Sequence, residues 1–290
     1  MKRICLFAHF DPSGRIAPHV MHYLRQLHLC GFETHVAMSG VERPHDDDRE
    51  ALARIGATAH PRPNQGLDFG AWQDLVARGC TNGAETIILA NDSVFGPLEP
   101  LARTFEVMET RQADIWGMVE SREGGWHLQS WFLCLTARAF SAPAISRVLS
   151  QPFRDMSKAE IVLHGELGLG AAIKADGLRW DALARRPPRG LRRLVPGNPM
   201  HLDYLSVIRD DAVPFIKVDL LRDNPTAIAW AGCWRSPVTR SPVFAAEWID
   251  RHLSAGQPHR PPRPRQSLKM RLLYVAITRD RREAVLTLLR

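Results

Sequence analysis

Hydrophobic and polar positions repeat with two different periods along the first part of the chain. Short apolar segments predict β-strands at 3–9 ("RICLFAH"), 33–39 ("ETHVAMS"), near Thr58 and at 86–90. Longer segments between and after them have helical periodicity and predict helices at 16–30, 46–56, 69–78 and 101–111. Repeated alternation of strand and helix is typical of a mainly parallel, doubly wound sheet with helices on both faces. We therefore predict the α/β class.

The pattern changes after residue 111. Two apolar segments at 113–121 and 127–136 are separated by the turn "REGG", which predicts an antiparallel pair added to the parallel sheet. Helices are predicted at 137–150 and 158–175, and the second contains "HGELGLG". A short apolar strand between Pro214 and Pro225 closes the predicted domain, which we assign to residues 1–235.

Polar residues follow the predicted strand at 86–90 without a spacer. Asn91, Asp92 and Ser93 come directly after it, and the chain then turns at Gly96 and Pro97. Ligands of doubly wound sheets bind beyond the carboxyl ends of the strands, so Asp92 stands where a ligand is expected. The alternative is that Asp92 only forms the turn at the strand end.

Charge is distributed unevenly along the 290 residues. The net charge is +7, but residues 251–290 hold ten Lys or Arg and two acids, which leaves the preceding part close to neutral. We assign residues 236–290 to a Pro-rich linker ("GQPHRPPRPRQ", 256–266) and a basic C-terminal tail. The tail is expected either to contact an anionic surface or to be solvated. The near-neutral remainder argues against a nucleic-acid partner.

Other features of composition set the expected compartment. The apolar segments have strand length, far below the roughly 20 residues that a spanning helix needs, and the N-terminus lacks a signal peptide pattern. The five cysteines form no CxxC pair and mostly lie in apolar segments. We expect a cytoplasmic protein with reduced cysteines.

Several motifs together resemble the rhamnan synthesis F family of bacterial polysaccharide glycosyltransferases. They are "NQGLDFGAW" (64–72), "LANDSVFGPL" (89–98), "WGMVES" (116–121), "HLQSWFL" (127–133), "GELGLG" (165–170), "NPMHL" (198–202) and "PFIKVDLLRDNP" (214–225). The chain is also more loosely similar to GT-A-fold glycosyltransferases, in which a strand ends in Asp-x-Asp. The resemblance implies a GT-A-like fold and transfer of a sugar from a nucleotide-sugar donor to a growing glycan.

The resemblance also implies a divalent cation, Mg²⁺ or Mn²⁺, that bridges the donor phosphates. Asp92 is the predicted carboxylate ligand, and His201 is a predicted further ligand. The outer positions of Asp-x-Asp are replaced by Asn91 and Ser93, so one carboxylate remains and the need for a metal stays open. His201 is alternatively a histidine near a helix start without any ligand.

Other residues are predicted to bind the donor. Asn64, Gly66 and Asp68 lie in a loop that leads into a helix, where free backbone N–H groups approach a nucleotide closely. Asp68 is alternatively the N-cap of that helix. Lys217 and Arg222 are predicted to neutralise the diphosphate, although Lys217 on a short strand is also able to point to solvent.

A carboxylate near the acceptor hydroxyl is required for direct displacement with inversion. Glu166, between two glycines, is the predicted catalytic base, with a structural role as the alternative; Glu120 and Glu123 are second candidates. His127 and Gln129 alternate on one strand face and are predicted to bind the acceptor.

The predicted partners are a nucleotide-sugar donor, a glycan or lipid-linked glycan acceptor and an anionic membrane surface. The predicted location is cytoplasmic and peripheral on the inner membrane. Basic residues of the tail favour that contact, whereas a C-terminal helix packed on the domain is the alternative. A different class of function also remains open: a nucleotide-binding module that lost transfer activity and serves as a subunit of a larger assembly. The single carboxylate of "NDS" favours this second class.

Overall fold

A computed structural model describes residues 2–188, 190–193, 197–255 and 268–288. Its strands are β1 (Arg3–His9), β2 (Glu33–Ser39), β3 (Ala57–Arg62), β4 (Thr86–Asn91), β5 (Val94–Phe95), β6 (Ile115–Ser121), β7 (His127–Leu128), β8 (Phe132–Thr136), β9 (Trp180–Ala184) and β10 (Ile216–Lys217). The predicted Pro-rich linker at 256–266 lies outside the described residues.

The α-helices surround these strands in chain order. They are α1 (Pro18–Leu29), α2 (Asp46–Ala53), α3 (Leu67–Ala77), α4 (Leu101–Glu109), α5 (Ala137–Phe140), α6 (Pro143–Leu149), α7 (Lys158–Ile161), α8 (Leu167–Ala175), α9 (Pro199–Leu202), α10 (Tyr204–Asp210), α11 (Val218–Arg222), α12 (Arg235–Val238), α13 (Ala246–Ala255), α14 (Leu268–Ile277) and α15 (Arg281–Leu288). A π-helical turn, Val162–Glu166, joins α7 to α8, and 3₁₀ turns lie at Phe153–Asp155, Gly190–Arg193 and Ala229–Trp234.

The main sheet has the order β3-β2-β1-β4-β8-β6-β7, and outside this path β9 pairs with residues 115–119 of β6. Neighbouring strands are parallel along β3-β2-β1-β4 and also between β6 and β9. Strand β8 runs antiparallel to both β4 and β6. The start of β8 therefore lies at the same edge as the carboxyl ends of β1 and β4. A separate two-stranded sheet pairs β5 with β10. The predicted α/β class, with a mainly parallel sheet and an antiparallel portion, is confirmed.

Helices cover both faces of the main sheet. Alternate residues of β1 point to opposite sides, so Phe7 packs with α1 and α4 while Leu6 packs with α3 and α8. Trp72 of α3 is fully buried, and its Nε1–H donates to the carbonyl of Ala90 at 3.1 Å. This contact places the start of α3 beside the end of β4.

A third cluster extends past residue 235. Phe95 and Tyr204 pack there with Val238, Ile249 and Ala284. The side chain of Asp280, just before α15, accepts hydrogen bonds from the backbone N–H groups of residues 205 and 206 at 3.0 and 2.7 Å. The predicted domain boundary at residue 235 therefore does not coincide with a break in the core.

Local chemistry explains where the elements differ from their predicted bounds. The first helix begins at Pro18 rather than at residue 16, because a residue before proline avoids the α region. The predicted helix at 137–150 divides before Pro143 for the same reason. The predicted strand at 127–136 is interrupted at residues 129–131. Strand β9 was not predicted, because its five residues carry no long apolar run.

Candidate functional site

A cavity of about 660 Å³ opens at the carboxyl ends of the parallel strands. It is lined by the ends of β1 and β4, the segment before β8, the start of α3, the π-helical turn and the region from α9 to α11. The sequence-predicted residues that line it are Asn64, Asp68, Asp92, His127, Gln129, Glu166, His201, Lys217 and Arg222. Residues far apart in the chain thus meet in one place, while the role of each stays a prediction.

Asp92 is bound to the end of the neighbouring strand. Its Oδ2 lies 2.7 Å from Nδ1 of His9 and accepts the backbone N–H of Phe10 at 3.0 Å. Nε2 of His9 lies 3.1 Å from the carbonyl oxygen of Arg15. Both ring nitrogens of His9 therefore face acceptors, an arrangement that suits the imidazolium form. Burial lowers the pKa of His9, but the hydrogen bond and charge of Asp92 outweigh it and raise the pKa above 6.5.

Asp68 and Asn91 form a second link at this edge. The side-chain amide of Asn91 donates to Oδ2 of Asp68 at 2.6 Å, and Oδ1 of Asn91 accepts the hydroxyl of Ser93 at 2.6 Å. Burial, followed by the charge of Asp92, raises the pKa of Asp68 from 3.8 to about 7. The alternative role of Asp68 as N-cap is wrong, because α3 begins at Leu67 and its N-cap residue is Gly66.

The loop before α3 is held by Arg62. Its Nε donates to Asp74 of α3 at 2.5 Å, and its Nη2 donates to the carbonyl of Gln65 at 2.5 Å. Gly66 has a φ of 71°, and an added Cβ there would lie 3.1 Å from the backbone N of Arg154. Gly66 does not line the cavity. Its observed contacts are with the packed turn at residues 153–154 rather than with the predicted donor space.

Glu166 ends the π-helical turn, a helix irregularity that often occurs at functional sites. Its Oε1 accepts hydrogen bonds from the backbone N–H of Ser130 at 2.8 Å and from the Ser130 hydroxyl at 3.1 Å. Nε2 of His127 lies 3.9 Å from the same oxygen. The preceding residue, Gly165, packs so closely on the ring of Phe69 that an added Cβ would lie 2.9 Å away. This close approach positions Glu166 at the cavity.

The two predicted acceptor-binding residues are both buried. His127 is 5% exposed, and its Nδ1 lies 3.0 Å from the carbonyl oxygen of Gly125. Gln129 is 2% exposed; its amide nitrogen donates to Asn198 at 2.7 Å, and its oxygen accepts from Trp131 Nε1 at 2.7 Å. Gln129 therefore connects the segment before β8 to Asn198, the N-cap of α9.

The second predicted metal ligand belongs to a different pair. His201 Nε2 lies 3.0 Å from Oδ1 of Asp219 in α11. Burial raises the pKa of Asp219, but the hydrogen bond and charge of His201 outweigh it, so the pKa lies well below its ordinary value. Sequence reasoning missed Asp219. A signal was present, because Asp219 lies two residues after Lys217, which ends the short strand β10.

Basic side chains also line the cavity. Lys217 Nζ lies 3.5 Å from the hydroxyl of Ser93 and 5.8 Å from the centre of the Trp131 ring. Lys217 is therefore not directed only to solvent. Arg222 and Lys158 also line the cavity, and Lys158 was not predicted. These cations suit an anionic ligand such as a diphosphate.

Sequence reasoning also missed two histidines, because nothing in their local sequence marks them. His9 ends β1, and His19 lies in the first turn of α1. Burial and then the neighbouring His252 lower the pKa of His19 to about 3. Its Nδ1 is buried with no hydrogen-bond partner among the described residues. His19 lines the cavity.

The two predicted cation ligands each have a protein partner in the observed arrangement. Asp92 contacts His9, and His201 contacts Asp219. Across the described ranges, the one group of three His, Cys, Asp or Glu side chains with ligand atoms close enough for a metal lies outside the cavity. The cation therefore remains a prediction.

The second candidates for the catalytic base occupy different positions. Glu123 lines the cavity. Glu120 is 5% exposed and accepts a hydrogen bond from Trp126 Nε1 at 3.0 Å. It does not line the cavity, so Glu123 is the better placed of the two.

Solved structures with some similarity to the chain include two glycosyltransferases. GlyE of Streptococcus pneumoniae TIGR4 has 9% sequence identity and a TM-score of 0.43, with 88% of this chain and 64% of that chain covered. The chain thus spans less than two thirds of GlyE. Mouse xyloside xylosyltransferase 1, in its apo form, has 10% identity and a TM-score of 0.35, with 67% and 90% covered.

A third solved structure is CMP:2-keto-3-deoxy-manno-octonic acid synthetase in complex with CTP. It has 13% identity and a TM-score of 0.37, with 66% of this chain and 93% of that chain covered. No protein of curated function matches the chain.

A family model described as rhamnan synthesis protein F matches residues 40–256, which is most of the chain. The match contains every motif that carried the family resemblance, and it confirms that prediction. The chain therefore belongs to the rhamnan synthesis protein F family.

Proposed function

We propose that this protein is a glycosyltransferase that moves a sugar from a nucleotide-sugar donor to a growing bacterial surface polysaccharide or lipid-linked glycan. The family supports the substrate class, with rhamnose as a candidate sugar. The observation that carries the proposal is that one cavity brings the carboxylate Glu166 together with Asp92 and the cations Lys217 and Arg222. A GT-A-like arrangement of donor and acceptor sites agrees with this grouping.

The cations are proposed to hold the donor diphosphate. Lys217 lies beside Ser93, immediately after the end of β4, and Lys158 and Arg222 line the same cavity. Negative charge develops on the diphosphate as the bond to the sugar breaks, and fixed cations stabilise that charge. His9 pairs with Asp92, which leaves the charge of Lys217 for the ligand, whereas the charge of Arg222 is shared with Asp223, whose Oδ2 lies 3.3 Å from its Nε.

Glu166 is proposed as the general base of a single displacement with inversion. The acceptor oxygen forms a bond to the anomeric carbon while Glu166 takes the hydroxyl proton. The bond between that carbon and the phosphate oxygen breaks, and its electron pair leaves with the nucleoside diphosphate. The two hydrogen bonds from Ser130 hold Oε1, so the carboxylate keeps one orientation toward the cavity.

The direct test is turnover of a panel of nucleotide sugars, followed as released nucleoside diphosphate with Mn²⁺, with Mg²⁺ and with a chelator. We expect release from at least one donor, accelerated by glycan acceptor. Lys217→Gln should raise the donor KM about ten-fold, the order expected for one charge-assisted contact. Lys174→Gln is the matched control, because Lys174 lies over the ring of Trp126 and does not line the cavity.

The second candidate function is a nucleotide-binding module without transfer. The pairing of Asp92 with His9 favours it, since the one carboxylate of "NDS" already has a partner. Nucleotide binding in calorimetry, together with no turnover of any donor under all three metal conditions, would support this module and contradict the enzyme.

A further inference from the structure

A histidine and cysteine cluster lies on the sheet face that carries α3. His35 of β2 and His60 of β3 point to this face, and Cys80 follows the end of α3. His35 Nδ1 lies 3.0 Å from His60 Nε2, and Cys80 Sγ lies 3.9 Å from the same His60 nitrogen. The ligand atoms of the three residues all lie within 4.8 Å of one another. Three elements that are separate in sequence therefore meet at one point.

We propose that His35, His60 and Cys80 form a Zn²⁺-binding site. Two imidazoles and a thiolate are ligands that zinc prefers, with a fourth tetrahedral position left for water. Zn–N bonds of about 2.1 Å and a Zn–S bond of about 2.3 Å place tetrahedral ligand atoms roughly 3.3–3.6 Å apart. The two separations from His60 Nε2, 3.0 and 3.9 Å, differ from this by a few tenths of an ångström, and the third separation is within 4.8 Å.

The contact between the two rings also suits the site, since Nδ1 of His35 faces Nε2 of His60 at 3.0 Å. The two facing nitrogens share one proton between them without metal, and a bound ion would take its place. Burial raises the pKa of the Cys80 thiol, but a coordinated zinc ion deprotonates a thiol directly.

Glu33 provides an outer partner. Its Oε1 lies 3.4 Å from Nε2 of His35, the nitrogen that does not face His60. A metal on Nδ1 leaves a proton on Nε2, and a carboxylate that accepts this proton fixes the tautomer and orients the ring. The cluster thus contains three proposed ligands and a carboxylate, Glu33, that orients one of them, His35.

This site is separate from the cavity. Ser39, at the end of β2, lines the cavity, whereas His35 lies four residues earlier and therefore roughly 13 Å back along the strand. Helix α3 begins at the cavity with Asp68 and ends near Cys80. A zinc ion would therefore tie the far end of α3 to β2 and β3, which is a structural role that does not rest on the proposed transfer activity.

Cobalt titration of the untagged, chelator-treated full chain tests the proposal, because Co²⁺ replaces zinc and reports thiolate ligation by its absorption. We expect one equivalent of Co²⁺, a thiolate-to-cobalt charge-transfer band and loss of that band on adding Zn²⁺. No cysteine lines the cavity among the described residues, so a metal bound there would give no such band.

Variants assign the ligands. Cys80→Ser should abolish the charge-transfer band and His60→Gln should lower the Co²⁺ affinity at least ten-fold, whereas Cys30→Ser and His45→Gln should bind as the parent does. Circular dichroism checks folding, and Cys80→Ala replaces Cys80→Ser if the latter does not fold. Absence of the band in the parent protein, or its persistence in the folded Cys80 variant, would overturn the site.

Discussion

His9 Nδ1 and Asp92 Oδ2 lie 2.7 Å apart and join the carboxyl ends of two adjacent parallel strands. The contact fixes the carboxylate at the cavity and holds the positive charge of the imidazolium beside it. The protein thus balances the one acid of "NDS" with its own histidine. The same cavity is lined by Lys217 and by Arg222, and Nε of Arg222 lies 3.3 Å from Oδ2 of Asp223.

The first prediction concerns Asp92→Asn. Burial is then opposed only by the hydrogen bond to the carbonyl of Arg15 and the charge of Asp11, so the pKa of His9 should fall below that of the parent protein. Donor affinity should fall about ten-fold or more, the order for a lost charge-assisted contact. Proton NMR titration of the imidazole and calorimetry with nucleoside diphosphate measure the two effects. Asp46→Asn, at the exposed start of α2, is the control, and unchanged nucleotide affinity in folded Asp92→Asn would remove Asp92 from the donor site.

The same pair gives stability a pH dependence. Because the folded-state pKa of His9 is raised, protonated His9 stabilises the folded chain. This stabilisation is complete below the ordinary pKa of 6.5 and is lost as pH rises through the raised pKa. The difference in unfolding free energy between the parent and Asp92→Asn should therefore shrink with rising pH over that range. Urea unfolding at several pH values measures it, and a difference that grows with pH would contradict the imidazolium assignment.

The second prediction is that Glu166→Gln lowers the transfer rate by about 10² or more while nucleotide affinity stays the same, as for loss of a general base. The amide oxygen still accepts the hydrogen bonds from Ser130, so the fold should be preserved. Glu106→Gln on α4 serves as the matched control. A rate that falls by less than about five-fold would move the role to Glu123, which lines the cavity, ahead of Glu120.

The third prediction uses the raised pKa of Asp68. The pKa of Asp68 is about 7 in the folded chain and 3.8 in the unfolded chain. The folded chain therefore loses stability as pH rises between those two values. Asp68→Asn should remove this loss and stabilise the chain by ~1–2 kcal/mol at about pH 8, with little effect at about pH 4, after allowance for solvent in the cavity. Urea unfolding measures the difference. Equal stability of parent and variant at both pH values would mean that the pKa is not raised.

The fourth prediction compares two glycines in one helical segment. Gly165→Ala should destabilise the chain by about 1–3 kcal/mol, because its Cβ would lie 2.9 Å from the Phe69 ring. Gly168→Ala has its nearest neighbour at 3.6 Å and should be neutral or stabilising by up to about 1 kcal/mol. Thermal unfolding measures both. Equal effects of the two substitutions would contradict the role of Gly165 in positioning Glu166.

The fifth prediction concerns peripheral membrane binding, which is a proposal of ours. No helix in the described ranges is long and apolar enough to cross a bilayer. Helix α14 exposes Leu268 and Leu272, at 62% and 51%, beside Lys269 and Arg271. Exposed leucines next to basic residues suit insertion at an anionic membrane surface. Leu268→Glu with Leu272→Glu should lower recovery with anionic liposomes several-fold.

Substitution is a cleaner test than shortening the chain at Ala255. Shortening would delete Ala284, which packs in the third cluster, and Asp280, which accepts hydrogen bonds at the start of α10. The control carries Val76→Glu with Val107→Glu, two exposed positions on other helices. Equal recovery of both double variants and the parent in the liposome pellet would exclude α14 as the anchor.

Sequence alone determined the elements whose pattern is local. The apolar runs of β1, β2 and β4 and the amphipathic helices between them required only side-chain periodicity, so the α/β class and the position of Asp92 at a strand end followed directly. The family motifs also lie in short contiguous segments, which is why the resemblance could be read from them. The antiparallel pair of β6 and β8 was predicted because one short turn region separates the two segments.

Tertiary structure decided which charges meet. His9 and Asp92 are 83 residues apart, and His201 faces Asp219 only because α9 and α11 fold against one another. The cluster of His35, His60 and Cys80 likewise depends on the register of β2 and β3 and on the length of α3. Strand β9 and the packing of Val238 and Ala284 depend on partners distant in the chain. Hydrogen bonds and burial of this kind depend on distance in space, which local periodicity does not encode.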